Sequence, residues 1–200
     1  MDAEELYGVA RSHRHSVSKL SLRDVRRAGS IASGYTTNRV FVLDRAMTDK
    51  ELVWTLREAS LPHAFTKIYD SGDPREWLQS YPDAGSPDDF NFYGCRSSGL
   101  ILGLLTWRSV DWNEVISLID IRVRESHRRQ GLGTLLVEAL QSECRRSHMR
   151  GITVETQTSN LPAVRFYLKH GFSVCGFHEY LYTNNDMERN DVALFLYWSS

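Results

Sequence analysis

Asp120-Ile-Arg-Val-Arg-Glu-Ser-His-Arg-Arg-Gln-Gly-Leu-Gly-Thr-Leu-Leu-Val-Glu138 is the stretch on which the fold turns. It completes an apolar run, Val115 to Val123, that reads as a strand. It then crosses a basic loop and enters a segment with apolar residues at Leu132, Leu135, Leu136, Ala139 and Leu140. That spacing is the i, i+3, i+4, i+7, i+8 stripe of an amphipathic helix. Gly131 and Gly133 therefore sit at a helix N-terminus, where backbone N–H groups lack intrahelical acceptors and the helix dipole is positive. Such an end binds phosphate oxygens, and glycine lets a ligand approach the backbone closely. His127, Arg128 and Arg129 add cationic reach. A plain tight turn is the competing reading. The order is not the G-x-G-x-x-G of a dinucleotide turn, and no Gly-Lys-Ser/Thr follows as in a nucleotide P-loop.

A second segment, Val154-Glu-Thr-Gln-Thr-Ser-Asn-Leu-Pro-Ala-Val-Arg-Phe-Tyr-Leu-Lys-His-Gly-Phe172, narrows the reading. Gly151 to Thr156 predicts a short buried strand. Ser159 or Asn160 suits an N-cap, and Pro162 suits the first helical turn. Ala163, Phe166 and Tyr167 share a helix face. Gly171 suits a left-handed helix end, and Phe172 opens another strand.

Together the two segments resemble the GCN5-related N-acetyltransferase (GNAT) family. The family's Q/R-x-x-G-x-G/A motif stands here as Arg128-Arg-Gln-Gly131-Leu-Gly133. Its N-x-x-A-x-x-x-Y motif, with Gly-Phe after it, stands as Asn160, Ala163, Tyr167, Gly171 and Phe172. A narrower likeness, over about residues 90 to 198, is to streptothricin acetyltransferases. It rests on Glu155-Thr-Gln157, Phe166-Tyr167, Tyr180-Leu-Tyr182, Ala193-Leu-Phe-Leu-Tyr197, Trp112-Asn113 and Ile119-Asp-Ile-Arg-Val123. The first sixty residues carry no matching motif.

The resemblance implies an α/β (α+β) fold: a mixed, mostly antiparallel twisted sheet, helices on both faces, and a central splay after Val123. It implies acetyl-CoA as co-substrate, lying in that splay. Backbone groups of Ile121, Arg122 and Val123 would hold the pantetheine and polarise the thioester carbonyl. Arg129, Gln130, Gly131, Leu132, Gly133 and Thr134 would cradle the pyrophosphate, with Arg128 beside them. Asn160 would contact the cofactor; an ordinary helix cap is its bland alternative. Tyr167 matches the family's general acid, against the alternative of a core tyrosine.

The reaction itself sets demands. A protonated amine has no lone pair, and with an amine pKa of about 10.4 only about one molecule in two thousand is neutral at pH 7. A base is needed, and an acid for the departing thiolate. Glu155 precedes Asn160 by five residues and Tyr167 by twelve. This resembles the base of ribosomal-protein alanine acetyltransferases. A solvent-facing or ion-paired strand glutamate is the alternative, and Asp120 is the second candidate base.

Composition allows such an enzyme and disfavours other classes. Two hundred residues suit one sheet-centred core, with residues 1–34 as an N-terminal extension and 35–200 as a single domain. A net charge of −1 gives no global attraction to nucleic acid or membrane. No apolar run approaches a membrane span, and the acidic Met1-Asp-Ala-Glu-Glu5 is unlike a signal peptide. Cys95, Cys144 and Cys175 read as reduced thiols of a cytoplasmic protein, small buried hydrophobes rather than nucleophiles. The histidines show no metal-ligand spacing, and the family needs no metal.

Along the chain, the pattern predicts a short helix over Glu4–Arg14, a first strand over Arg39–Leu43, and a helix capped by Thr48 that runs through Ala59. A second short helix covers Pro74–Tyr81, and a loop covers Pro82–Asp89. Strands follow over Phe90–Arg96, Leu100–Arg108 and Val115–Val123. After the two motif helices, Ser173–Tyr182 and Val192–Trp198 form a hairpin across an irregular loop. Ser18–Ile31 is polar and basic; with Arg11 and Arg14 it reads as a solvated arm. Asp70, Asp73, Glu76, Asp83, Asp88 and Asp89, and later Asp186, Glu188 and Asp191 beside Tyr180 and Tyr182, would suit a cationic amine. The bland reading is solvated loops. The resemblance to streptothricin acetyltransferases implies an acceptor that is a lysine-like or β-lysyl amine on a small molecule. The alternatives are a protein N-terminus or lysine side chain, and a non-catalytic acyl-CoA-binding module. A homodimer is an open option.

Overall fold

A computed structural model describes residues 15–79 and 89–200. The helix expected over Glu4–Arg14 and most of the loop before Asp89 lie outside the described residues. In chain order the elements are β1 (Ser16–Leu20), α1 (Leu22–Arg27), β2 (Gly34–Met47), β3 (Leu52–Ile68), α2 (Pro74–Trp77), β4 (Asn91–Ser97), β5 (Leu100–Val110), β6 (Val115–Val123), α3 (Leu132–Arg146), β7 (Gly151–Gln157), α4 (Leu161–Lys169), β8 (Ser173–His178) and β9 (Ala193–Ser199). They fall into two compact units. One gathers the segments up to Ser33, Ile68–Ile152 and Ser199–Ser200; the other gathers Gly34–Lys67 and Thr153–Trp198.

In the first unit the strand order is β1-β4-β5-β6, antiparallel throughout. This is the meander expected from the three apolar runs, with β1 added at its edge. Leu20, Phe92 and Leu104 lie in one core with Val25 of α1 and Leu78 just after α2. Successive strand residues point to opposite faces, so Gly103 faces the other side. There a Cβ would stand 3.1 Å from Leu136 of α3. Helices thus cover both faces, and β5, β6 and α3 meet closely where Gly103 pairs with Val123.

The polar stretch Ser18–Ile31 is ordered by its own chemistry. Ser21 caps α1, accepting from the Asp24 N–H while the Asp24 carboxylate accepts from the Ser21 N–H. This reciprocal capping box satisfies two donors at once. Arg124 then fixes the following turn, donating to the carbonyls of Ala28, Ser30 and Ile101.

In the second unit β2 and β3 form their own two-stranded sheet, and the remaining strands take the order β7-β9-β8. β8 and β9 are the expected antiparallel hairpin, though β8 stops at His178. Glu58 of β3 pairs with Arg39 of β2 and Arg165 of α4, at 2.6 and 2.7 Å.

The helix expected from Thr48 through Ala59 is not formed. The Thr48 hydroxyl does accept from the N–H groups of Lys50 and Glu51, as a cap would. The Thr48 N–H, however, donates to the Glu51 carbonyl at 2.8 Å, which closes a turn between β2 and β3. Serine and threonine make the same local bonds in turns and in caps. Leu52-Val53-Trp54-Thr55 beyond it is rich in strand formers, and pairing with β2 decides the outcome. Two further corrections are smaller. The strand expected over Arg39–Leu43 runs from Gly34 to Met47 and is not the first. The helix expected over Pro74–Tyr81 covers only Pro74–Trp77.

Candidate functional site

The first unit carries the glycine turn expected before α3. α3 starts at Leu132, with Gly131 as N-cap at φ +86°. A Cβ on Gly131 would meet nothing within 4 Å, so open space lies before it. No side chain caps this end, so the positive end of a fifteen-residue helix faces outward. The loop leading there is held from within. Gln130 Nε2 donates to the Ser126 carbonyl at 3.2 Å. Arg128 reaches back to the carbonyls of Val123, at 3.2 Å, and Ala32, at 3.4 Å. Arg129 takes a left-handed backbone at φ +63°. An anionic diphosphate fits this end: it offers glycine, backbone donors and a positive dipole together.

The strand before it is prepared in a definite way. Opposed residues of an antiparallel pair alternate between bonded and non-bonded positions. The Arg124 N–H donates to the Leu102 carbonyl at 2.8 Å, and the register pairs Arg122 with Leu104 and Val123 with Gly103. Arg122 therefore bonds to β5 through its backbone, whereas Ile121 and Val123 turn their N–H and C=O away from β5. The Arg122 side chain is equally engaged. Its guanidinium, at 3 % exposure, donates to Asp120, to both Asp70 oxygens and to the Ile31 carbonyl. Asp120, the second candidate base, is thus one of two carboxylates neutralising a buried cation, as is Asp70 from the acidic stretch.

Glu155 stands on β7 in the second unit. The Tyr182 hydroxyl donates to its Oε1. Gln157, two residues along the same strand face, donates from Nε2 to the Tyr182 oxygen at 3.0 Å. Burial raises the Glu155 pKa above the ordinary carboxylate range, although donors from Tyr182 and Gln157 pull the other way. Burial and the adjoining Glu155 carboxylate raise the Tyr182 hydroxyl as well. Glu155 nevertheless keeps contact with solvent. Desolvation combined with access is an arrangement found in catalytic carboxylates and in structural networks alike.

Lys67 of β3 lies 5.8 Å from the centre of the Tyr182 ring and binds both oxygens of Asp191, at 3.0 and 2.7 Å. Ser159 also donates to Asp191, at 2.5 Å, and Tyr35 lies 2.7 Å from Ser159. The late acidic loop is therefore less available to a cation than its composition suggests. Lys67 neutralises Asp191. Asp186, 1 % exposed, accepts from the N–H groups of Tyr182 and Thr183 and from the Thr183 hydroxyl. Asp83 and Asp88 lie outside the described residues. Lys67 and Gln157 had no expected role. Strand alternation places Gln157 on the Glu155 face, but nothing local ties Lys67 to Asp191, 124 residues away.

α4 holds the second motif. The Asn160 side chain accepts from the Ala163 N–H at 3.2 Å, a working N-cap. Gly171 takes φ +82° after the helix end. Tyr167, 5 % exposed, packs its ring 5.4 Å from those of Phe166 and Phe172. Cys95 and Cys144 are the buried residues expected, but Cys175 is exposed on β8; desolvation raises the pKa of all three thiols, away from that of a poised nucleophile.

Known proteins resemble this chain in sequence and in fold. Residues 53–172 fit the Acetyltransferase (GNAT) family. Streptothricin acetyltransferase A of Bacillus subtilis (strain 168) is 30% identical over 146 residues, covering 73% of this chain and 80% of that protein. A streptothricin acetyltransferase of Escherichia coli is 31% identical over 118 residues, covering 59% of this chain and 67% of its own length. A Bacillus anthracis structure in complex with acetyl coenzyme A superposes with a TM-score of 0.70 at 22% identity, covering 93% of this chain and 99% of that one, which is a likeness of fold. The family match spans more than half of the chain and includes both the turn before α3 and the Asn160–Tyr167 helix, so the chain belongs to the GNAT acetyltransferase family and uses acetyl-CoA as its co-substrate.

Proposed function

We propose that this acetyltransferase acts on a primary amine of a small cationic molecule, of streptothricin or lysine type, with Glu155 as base and Tyr167 as acid. One observation carries the reading: a partly desolvated carboxylate with a raised pKa, engaged by a hydroxyl on one oxygen and open to solvent. A carboxylate with a raised pKa is a better acceptor of an ammonium proton. Glu155 takes that proton, and the neutral amine attacks the acetyl carbonyl. Backbone groups of Ile121 and Val123, turned away from β5, hold the acetyl donor. The turn from Arg128 through Thr134 takes its diphosphate, and Asn160 contacts it while capping α4. Tyr167 gives its proton to the leaving sulfur and recovers one from the attacking nitrogen, which sheds its second proton as the amide forms, and the Glu155 proton passes to solvent.

The relatives named for streptothricin support the substrate class. The test is thiol release from acetyl-CoA across a panel of streptothricin, free lysine, polyamines, and peptides ending in lysine or alanine. Selective turnover of streptothricin is expected. Turnover on peptides alone would assign the chain to protein acetylation instead. Cofactor binding with no turnover would make it an acyl-CoA-binding module.

A further inference from the structure

Glu155 has two carboxylate oxygens, and they are not equivalent. We infer that Tyr182 is the positioning residue for Glu155: its hydroxyl fixes Oε1, so Oε2 is the oxygen that meets the amine. The inference rests on the proposed role of Glu155 and adds the residue that orients it.

Three contacts make the arrangement directional. A tyrosine hydroxyl has one hydrogen. Gln157 Nε2 donates to the Tyr182 oxygen at 3.0 Å, so that oxygen is an acceptor there and its hydrogen goes to Glu155. The ring is held from its face by Lys67, 5.8 Å from the centroid. Lys67 is anchored in turn by Asp191, which Ser159 bonds at 2.5 Å. The backbone of Tyr182 is fixed as well, its N–H donating to the buried Asp186 at 2.9 Å. Ring, hydroxyl and backbone are each restrained, although Tyr182 is 38 % exposed.

Among the described residues, the titratable and charged groups that act on Glu155 include Tyr182, Lys67 of β3, and Asp191 before β9. The first two favour the carboxylate and Asp191 opposes it. Tyr182 stays protonated near neutral pH, because burial and the Glu155 charge both raise its pKa. It acts as a fixed donor and not as a relay: the proton moves from the amine nitrogen to Glu155 Oε2, and the Tyr182 O–H bond stays intact.

The test is Tyr182→Phe, which keeps the ring and removes the hydroxyl. Loss of a donor to the carboxylate moves the Glu155 titration, followed by 13C NMR of labelled glutamate, upward by about one pH unit, tenfold in the ionisation equilibrium. The acid limb of kcat/KM moves up by the same amount, and KM for acetyl-CoA does not change. Gln157→Leu, which unfixes the hydroxyl hydrogen, gives a smaller shift in the same direction. An unchanged Glu155 titration in Tyr182→Phe overturns the inference, whatever the rate does. If the titration moves but the wild-type protein turns over no amine, the positioning contact stands and the proposed reaction fails. A displaced NMR titration with an unmoved acid limb removes Glu155 from the reaction as its base.

Discussion

Arg122 shows how much a single residue's surroundings alter its meaning. Its guanidinium is buried and its charge is balanced by Asp70 and Asp120. Removing one partner of a buried pair leaves an uncompensated charge, at a cost of about 3–5 kcal/mol. Arg122→Met is therefore expected to lower the melting temperature by roughly ten degrees, read by thermal denaturation. A loss below two degrees would show that the pair is not the structural element described. Asp120→Asn should likewise reduce stability while leaving the acid limb of kcat/KM in place, whereas Glu155→Gln should abolish that limb. Tyr167 is the opposite case, since its ring contacts survive in phenylalanine. Tyr167→Phe is expected to melt within a few degrees of wild type and to lose about 10²–10⁴-fold in kcat, with acetyl-CoA affinity retained. Full turnover in that variant removes Tyr167 as the acid.

Elements were legible in the sequence where one local rule acted alone. The stripe from Leu132 to Leu140 gave α3, Asn160 with Pro162 gave the start of α4, and three apolar runs gave the meander. The segment after Thr48 was not, because its hydroxyl bonds serve a turn and a helix start equally. Only the partner strand β2, brought back by the chain, settled it. The start of α3 offers the sharpest test at this scale. Gly131 holds a left-handed backbone with open space ahead of it. Gly131→Ala costs about 1 kcal/mol of backbone strain, and its methyl stands where a phosphate would approach. The expected result is a rise of about tenfold in KM for acetyl-CoA, equivalent to one lost charge-assisted contact, with kcat at saturating cofactor nearly unchanged. Isothermal titration of CoA against the variant reads the same loss without any acceptor. Unaltered affinity would place the diphosphate elsewhere.

Across the whole molecule, pairings between distant segments are what composition and spacing conceal. Glu143 reads as a charged residue in the last turn of an amphipathic helix, yet it is only 6 % exposed. It accepts from Lys19, 124 positions away, from Tyr93, and from Arg146 and Ser147. Its burial opposes ionisation, but the bonds from Arg146 and Tyr93 and the charge of Lys19 outweigh it and hold the carboxyl down to about 2. A glutamate in the unfolded chain titrates near 4.5. The folded state therefore binds this proton less readily, and the resulting stability is complete above about pH 4.5 and is lost as pH falls toward 2. Lys19 and Arg146 are each more than half exposed, so solvent screening reduces the contribution to on the order of 1–2 kcal/mol at neutral pH. Glu155 works in the other direction: its raised pKa lowers stability once pH exceeds the unfolded value, so the candidate base and the structural carboxylate pull the pH profile oppositely. Glu143→Gln separates them. At pH 7 it should lower the melting temperature by about 2–6 °C, a gap that narrows severalfold as the pH is brought down to 2.5. Melting curves of wild type and variant at half-unit steps measure this directly. A gap of constant size from pH 7 to 2.5 would mean that the Glu143 contacts act by shape and hydrogen bonding alone, with no ionised carboxylate at their centre.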